Sequence, residues 1–260
     1  MVYKIIKSIK ELLGVLLKKE IVLVYTMGKV GTTTIEATLE AHSVSPVIHI
    51  HQLNFKREND RKKKSLYDIK SYIISLFLKM ARKNKKIKII TVVRDPIQRN
   101  MSSFFQIIDK HDRDILNKGN NDVNFLIRHF FENYMHDYPL TWFDKELKAV
   151  FGYDVYNSNF DKEKGYIISK ADNVEILVFK MEKIKEIGIE ALNKFMNLKI
   201  SVLVNRNEAN EKQYHDLYKD FKSKIIFEKD FVDKIYNSKF TKHFYSDKEI
   251  EENVLKLKIS

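Results

Sequence analysis

The sequence contains no cysteine, three prolines and seven glycines in 260 residues. Without cysteine, a disulfide scaffold, a thiolate zinc site and a cysteine nucleophile are excluded, and a reducing compartment is compatible. So few prolines and glycines exclude collagen-like, mucin-like and low-complexity designs, and no internal repeat is found. No stretch reaches the roughly 20 apolar residues that a spanning helix needs. What is present is 44% hydrophobic and 12% aromatic residues, enough for one sizeable core. The net charge is +12 and the pI about 9.4. A basic surface suits nucleic acid, anionic lipid or a phosphorylated or sulfated small molecule. The lysines are scattered. The runs Arg61-Lys-Lys-Lys64 and Lys83-Asn-Lys-Lys86 fall beside expected helix ends and read as solvated surface. No nucleic-acid motif is found and aromatics do not interleave with the basic runs, so nucleic acid is not the expected partner.

Short β-branched runs alternate with helical periodicity. Ile21–Tyr25, Pro46–Ile50, Ile87–Val93 and Val174–Lys180 read as buried strands. Helices are expected over Thr34–Ala41, Ser65–Arg82, from Pro96 onward, and over Asp122–His136, Glu182–Asn197 and Ala209–Phe221. The last 30 residues also read as helical. Trp142–Tyr156 is of mixed character. Asp109–Asn121 and the region around 157–165 read as loops. This order predicts an α/β fold: a central parallel sheet flanked by helices, in one domain spanning 1–260, with a helical extension over about 205–260. Residues 1–19 form an amphipathic segment with lysines opposite Ile5, Ile6, Ile9, Leu12, Leu13, Leu16 and Leu17. No small-residue cleavage site follows it, so a signal peptide is not expected. It reads first as a helix packed on the domain, and second as peripheral contact with an anionic membrane.

Two constellations carry chemistry. Thr26-Met-Gly-Lys-Val-Gly-Thr-Thr-Thr34 lies between the first strand and the next helix. Gly28 and Gly31 allow backbone N–H groups to turn toward a ligand, and Val30 sits between the cationic Lys29 and the second glycine. Thr32, Thr33 and Thr34 supply hydroxyls at a helix start, where unpaired N–H groups and the dipole favour an anion. The nucleotide triphosphatase pattern ends in Gly-Lys-Ser/Thr; here Thr32 holds the lysine's place and Lys29 comes two residues before Gly31. The plain alternative is an ordinary strand-to-helix turn. The second constellation is Arg94 at the carboxyl end of a buried strand, where open parallel sheets bind ligands, with Ser102 two helical turns later. The guanidinium and the hydroxyl suit a second phosphate, and the plain alternative is an Arg94–Asp95 pair.

Together, Lys-x-Gly-Thr-Thr and Arg-x-Pro-x-x-Arg-x-x-Ser resemble the donor signature of sulfotransferases that use 3′-phosphoadenosine 5′-phosphosulfate. His49-Ile-His51, the stretch from Trp142 to Tyr156 and the aromatic, basic end around Tyr236–Tyr245 resemble a bacterial family of capsular polysaccharide synthesis proteins. The resemblance implies a P-loop-like three-layer fold and a sulfuryl transfer that needs no metal. It implies that Lys29, Gly31, Thr32 and Thr33 hold the 5′-phosphosulfate and that Arg94 and Ser102 hold the 3′-phosphate. Lys212 is a further candidate for that phosphate. A carbohydrate or glycolipid acceptor, a role in capsule or cell-surface polysaccharide synthesis, and a cytoplasmic site at the inner face of the membrane are the corresponding expectations.

Transfer to a hydroxyl needs a base near the acceptor and a cation near the leaving group. Lys29 suits the second role. His49 and His51, two apart on a strand, share a face and are the base candidates, His51 lying nearer the carboxyl edge. Asp144, Glu146 and Asp154 are alternatives, and Trp142 is read as a core residue before a sugar platform. Two other readings stay open: a P-loop-type nucleotide or sugar kinase, and a basic binding module without activity.

Overall fold

In the computed structural model, residues 2–44, 46–55, 66–81, 84–204 and 214–260 are described. They form two compact units, Met1–Val93 with Trp142–Asn205, and Arg94–Thr141 with Arg206–Ser260. The first unit opens with α1 (Val2–Leu17), β1 (Glu20–Tyr25), α2 (Thr32–Ala41), β2 (Val47–Ile50), α3 (Leu66–Ala81) and β3 (Lys86–Val93). The second begins with α4 (Pro96–His111), α5 (Arg113–Asn121) and α6 (Val123–Asn133). Helix α7 (Tyr138–Trp142) leads back to the first unit. A π-helix (Phe143–Lys148), α8 (Ala149–Phe151), β4 (Tyr166–Ala171), β5 (Val174–Lys180) and α9 (Ile184–Met196) follow there. Helices α10 (His215–Lys224), α11 (Lys229–Tyr236), α12 (Lys239–Phe244) and α13 (Asp247–Leu255) end the chain.

The sheet of the first unit has the order β2-β1-β3-β5-β4. All neighbours are parallel except β4, which pairs antiparallel with β5. Every residue of β1 and β3 after the first is buried, so both sheet faces are covered and polar–apolar alternation is absent. Helix α2 packs on β1 and β2, α9 on β4 and β5, and α1 on α3. This is the expected three-layer α/β arrangement. The chain passes from β1 outward to β2, then back across β1 to β3. The carboxyl ends of β1 and β3 therefore lie at the reversal of strand order, where such sheets bind ligands.

Two expectations are corrected. Arg113–Asn121 is a helix and not a loop: the Asp112 carboxylate accepts from the Ile115 N–H, and Leu116 is buried in a core with Phe104, Phe105 and Phe130. The antiparallel strand β4 was not expected, because its residues are only half covered. The helices after residue 214 contribute Phe221, Phe227 and Ile235 to that same core of the second unit. Through these residues they line its interior.

The mixed Trp142–Tyr156 segment places Glu146 inside the first unit. Its buried carboxylate accepts from the Tyr25 hydroxyl at 2.5 Å and from the Leu53 and Asn54 N–H groups at 2.8 and 3.0 Å. Trp142 is core, as expected; its ring meets Tyr25 edge-on at 4.9 Å and its Nε1–H donates to the His51 carbonyl at 3.1 Å. Removing one carboxylate strands two buried donors and a half-buried one. We expect Glu146→Ala to lower the unfolding free energy by about 3 kcal/mol in urea titration, and Glu146→Gln, which keeps one acceptor oxygen, by less. Equal stability of wild type and Glu146→Ala would contradict this role.

Candidate functional site: an anion cradle at the end of the first strand

Thr26 is fully buried, and its N–H donates to the Ile50 carbonyl at 3.2 Å, tying the loop start to β2. The Thr26 hydroxyl accepts from the Gly28 N–H at 3.3 Å. Met27 and Val30 point inward and are buried, anchoring the loop from below. Gly28, Lys29 and Gly31 all have left-handed backbone, with φ of 76°, 63° and 76°. For Lys29 this conformation costs about 1–2 kcal/mol, strain of the kind that collects at functional loops. Helix α2 then starts at Thr32. Its N-cap, Gly31, has no side chain with which to cap, so no side-chain oxygen of the cap satisfies the first-turn N–H groups. Left-handed turns leading into a helix start are the backbone features from which anion-binding concavities are built, here with Lys29 in the loop.

The two histidines share a face as expected, their rings 4.8 Å apart and edge-to-face. They do different work. His49 bridges: Nε2 lies 2.9 Å from the Thr32 hydroxyl and Nδ1 2.9 Å from Glu36 Oε2. A carboxylate only accepts, so Nδ1–H donates to Glu36, and Nε2 is paired with the Thr32 hydroxyl. The other Glu36 oxygen pairs with Lys7 at 2.5 Å, and Lys7 also reaches Glu40 at 2.9 Å. Burial pushes the Glu36 carboxyl up, but His49 and Lys7 outweigh it and hold its pKa at about 2. Lys7 is held above the usual lysine range, its two glutamates outweighing burial.

His51 donates from Nδ1 to the Thr26 carbonyl at 2.9 Å, so in the neutral ring Nε2 carries the lone pair. A Cβ on Gly28 would stand 3.5 Å from His51 Cε1 and 3.6 Å from Nε2. The absent side chain thus serves both the left-handed turn and the approach of the ring. Among the other base candidates, Asp144 is exposed. Asp154 accepts from the Tyr156 N–H and pairs with Lys148 at 2.7 Å, and Glu146 is bound as above.

Arg94 directly follows β3 and opens the second unit. Asp95 is buried, caps α4 by accepting from Gln98 N–H at 2.8 Å, and accepts from the Tyr236 hydroxyl at 2.8 Å. Burial raises the Asp95 carboxyl above the usual range. Within this unit, burial and then the Arg94 charge lower Lys222, and burial raises Tyr218 against the pull of Arg94. Lys222 and Tyr218 therefore stand in the electrostatic reach of Arg94, which their sequence positions did not suggest. Ser102 is half-buried on α4. Lys212 lies outside the described residues. No group of three or more His, Asp or Glu placed to hold a metal is found among the described residues.

Residues 112–246 match the family described as "Putative capsular polysaccharide synthesis protein". The chain belongs to this family. No curated protein and no solved structure matches it. The matched stretch of this capsular polysaccharide synthesis family begins after both the Thr26–Thr34 and the Arg94–Ser102 motifs and includes Trp142 and Glu146. Those two side chains fix Tyr25, the His51 backbone and residues 53–54, so the family segment buttresses the cradle.

Glu36 was missed in the sequence, although it stands one helical turn after Thr32, where both can bracket a histidine of the neighbouring strand. Its low pKa gives a signed pH effect. The folded value lies below the ordinary 4.5, so the stability it contributes is present above pH 4.5 and lost as pH falls toward about 2. We expect Glu36→Gln to flatten the stability–pH curve in that window; an unchanged slope would contradict the pairing. Lys29→Gly is expected to match or exceed wild-type melting temperature, because it relieves the left-handed strain, and yet to weaken inorganic phosphate or sulfate binding. A clear loss of stability would contradict the strain.

Proposed function

We propose that the protein is a sulfotransferase that moves a sulfuryl group from 3′-phosphoadenosine 5′-phosphosulfate to a carbohydrate hydroxyl in capsular polysaccharide synthesis. The observation that carries this reading is the left-handed, uncapped loop at the carboxyl end of β1, with Lys29 displaced from the triphosphatase position. The arginine–serine motif of Arg94 and Ser102, suited to a second phosphate, favours a 3′-phosphorylated donor over ATP. Family membership supports the capsular setting.

In this reading the loop N–H groups and the Thr32 and Thr33 hydroxyls bind the 5′-phosphosulfate. Arg94 and Ser102 bind the 3′-phosphate. His51 Nε2 takes the proton of the acceptor hydroxyl as its oxygen bonds to sulfur. The bond from sulfur to the bridging oxygen breaks, and that oxygen keeps the electron pair. Lys29 and the α2 dipole stabilise the charge that develops there. His49, held by Glu36, fixes the Thr32 hydroxyl and is a positioning residue.

A thermal-shift titration tests the donor class. Adenosine 3′,5′-bisphosphate is expected to raise the melting temperature of the wild type without magnesium, by more than magnesium–ATP does. Lys29→Ala and Arg94→Ala are each expected to weaken that binding by about tenfold or more. His51→Ala is expected to retain bisphosphate binding and to lower transfer from labelled donor to bacterial glycans by about 100-fold or more. Stabilisation by magnesium–ATP alone would reject the proposal in favour of a kinase.

A further inference from the structure

We propose that α1 and α3 together form a docking face for an anionic lipid surface. Fifteen large hydrophobic side chains are exposed among the described residues, and nine of them lie on these two helices. On α1 they are Ile6, Ile9, Leu13, Leu16 and Leu17, which fall within about a third of the helical circumference at 3.6 residues per turn. On α3 they are Ile69, Tyr72, Leu76 and Met80, again one narrow face.

Helix α1 is mounted so that this stripe does not turn inward. Its opposite side carries buried Glu11 and Val15, and Gly14 approaches Pro46 so closely that a Cβ would stand 2.0 Å from the proline ring. Glu11 pairs with Lys70 of α3 at 2.7 Å, and Lys7 with Glu36 and Glu40. An amphipathic helix thus shows its apolar side to solvent and its polar side to the protein.

Charge selects the occupant. Lys10, Lys18, Lys19 and Lys79 are exposed beside the apolar faces. The acids of the two helices are Glu11, which is buried and paired, and Asp68, which is half-buried. An apolar stripe with lysine flanks matches acyl chains below anionic headgroups. A second copy of the chain would bring like-charged flanks together, which opposes association. No helix among the described residues is long and apolar enough to cross a membrane, so the helices lie on the surface in this mode.

Vesicle co-sedimentation of the full chain tests the proposal. Vesicles containing phosphatidylglycerol are expected to bind the protein, pure phosphatidylcholine vesicles to bind it much less, and added salt to weaken binding. Leu13→Glu with Leu16→Glu is expected to reduce partitioning about tenfold or more, and Lys10→Glu with Lys19→Glu to abolish the preference for anionic lipid. All four positions are solvent-exposed, and circular dichroism with light scattering checks fold and oligomeric state. Absence of vesicle binding, or binding untouched by the leucine substitutions, overturns the proposal. So does a dimer that those substitutions dissociate in protein that binds no vesicles.

Discussion

The buried carboxylate of Glu146 is the constraint on which the site depends. It gathers the Tyr25 hydroxyl at the end of β1 and two N–H groups just beyond β2. A buried anion is tolerated only when its lone pairs are filled, and these donors are available in one arrangement of the two strand ends. Trp142, one helical turn earlier, adds a bond to the His51 carbonyl. With the backbone of His51 fixed, its ring reaches back to the Thr26 carbonyl and covers Gly28. The strained turn at Lys29 is held from two sides, by β2 and by the inward anchors Met27 and Val30.

A second chain of contacts enters from the amino-terminal helix. Lys7 holds Glu36, Glu36 holds His49, and His49 holds the hydroxyl of Thr32 at the first position of α2. The helix proposed to rest on lipid is thereby linked, through three side-chain contacts, to the cradle proposed to receive the sulfonucleotide. The Lys7–Glu36 pair is half-buried and so is screened less than a fully exposed ion pair.

The core strands were legible in the sequence because β1, β3 and β5 are buried on both faces and read as continuous apolar runs. The edge strand β4 was not, because its half-exposed residues break both the run and the alternation. Helix α5 was hidden by its polar composition; it is fixed by the Asp112 cap and by packing on its neighbours, neither of which periodicity reports. The Thr26–Thr34 loop was legible because its glycines carry local conformational demands that are met where the structure shows left-handed backbone. The division of labour between His49 and His51 was not, since it depends on Glu36 from another element. Glu146 reads as a base candidate in the sequence, because a sequence does not show which carboxylate is enclosed by donors.

The family segment, residues 112–246, supplies the buttress, and the stretch before it supplies the loop that the buttress supports. The central claim is that this loop is a phosphate-binding cradle for a sulfonucleotide. The most direct measurement is an amide NMR titration of the isotopically labelled protein with adenosine 3′,5′-bisphosphate. The account predicts saturable shifts of the amide signals of Gly28, Lys29, Gly31, Thr32 and Thr33, with the Arg94 side-chain signal moving at the same ligand concentration. Binding that leaves these amides unmoved, or no binding at all, would contradict it.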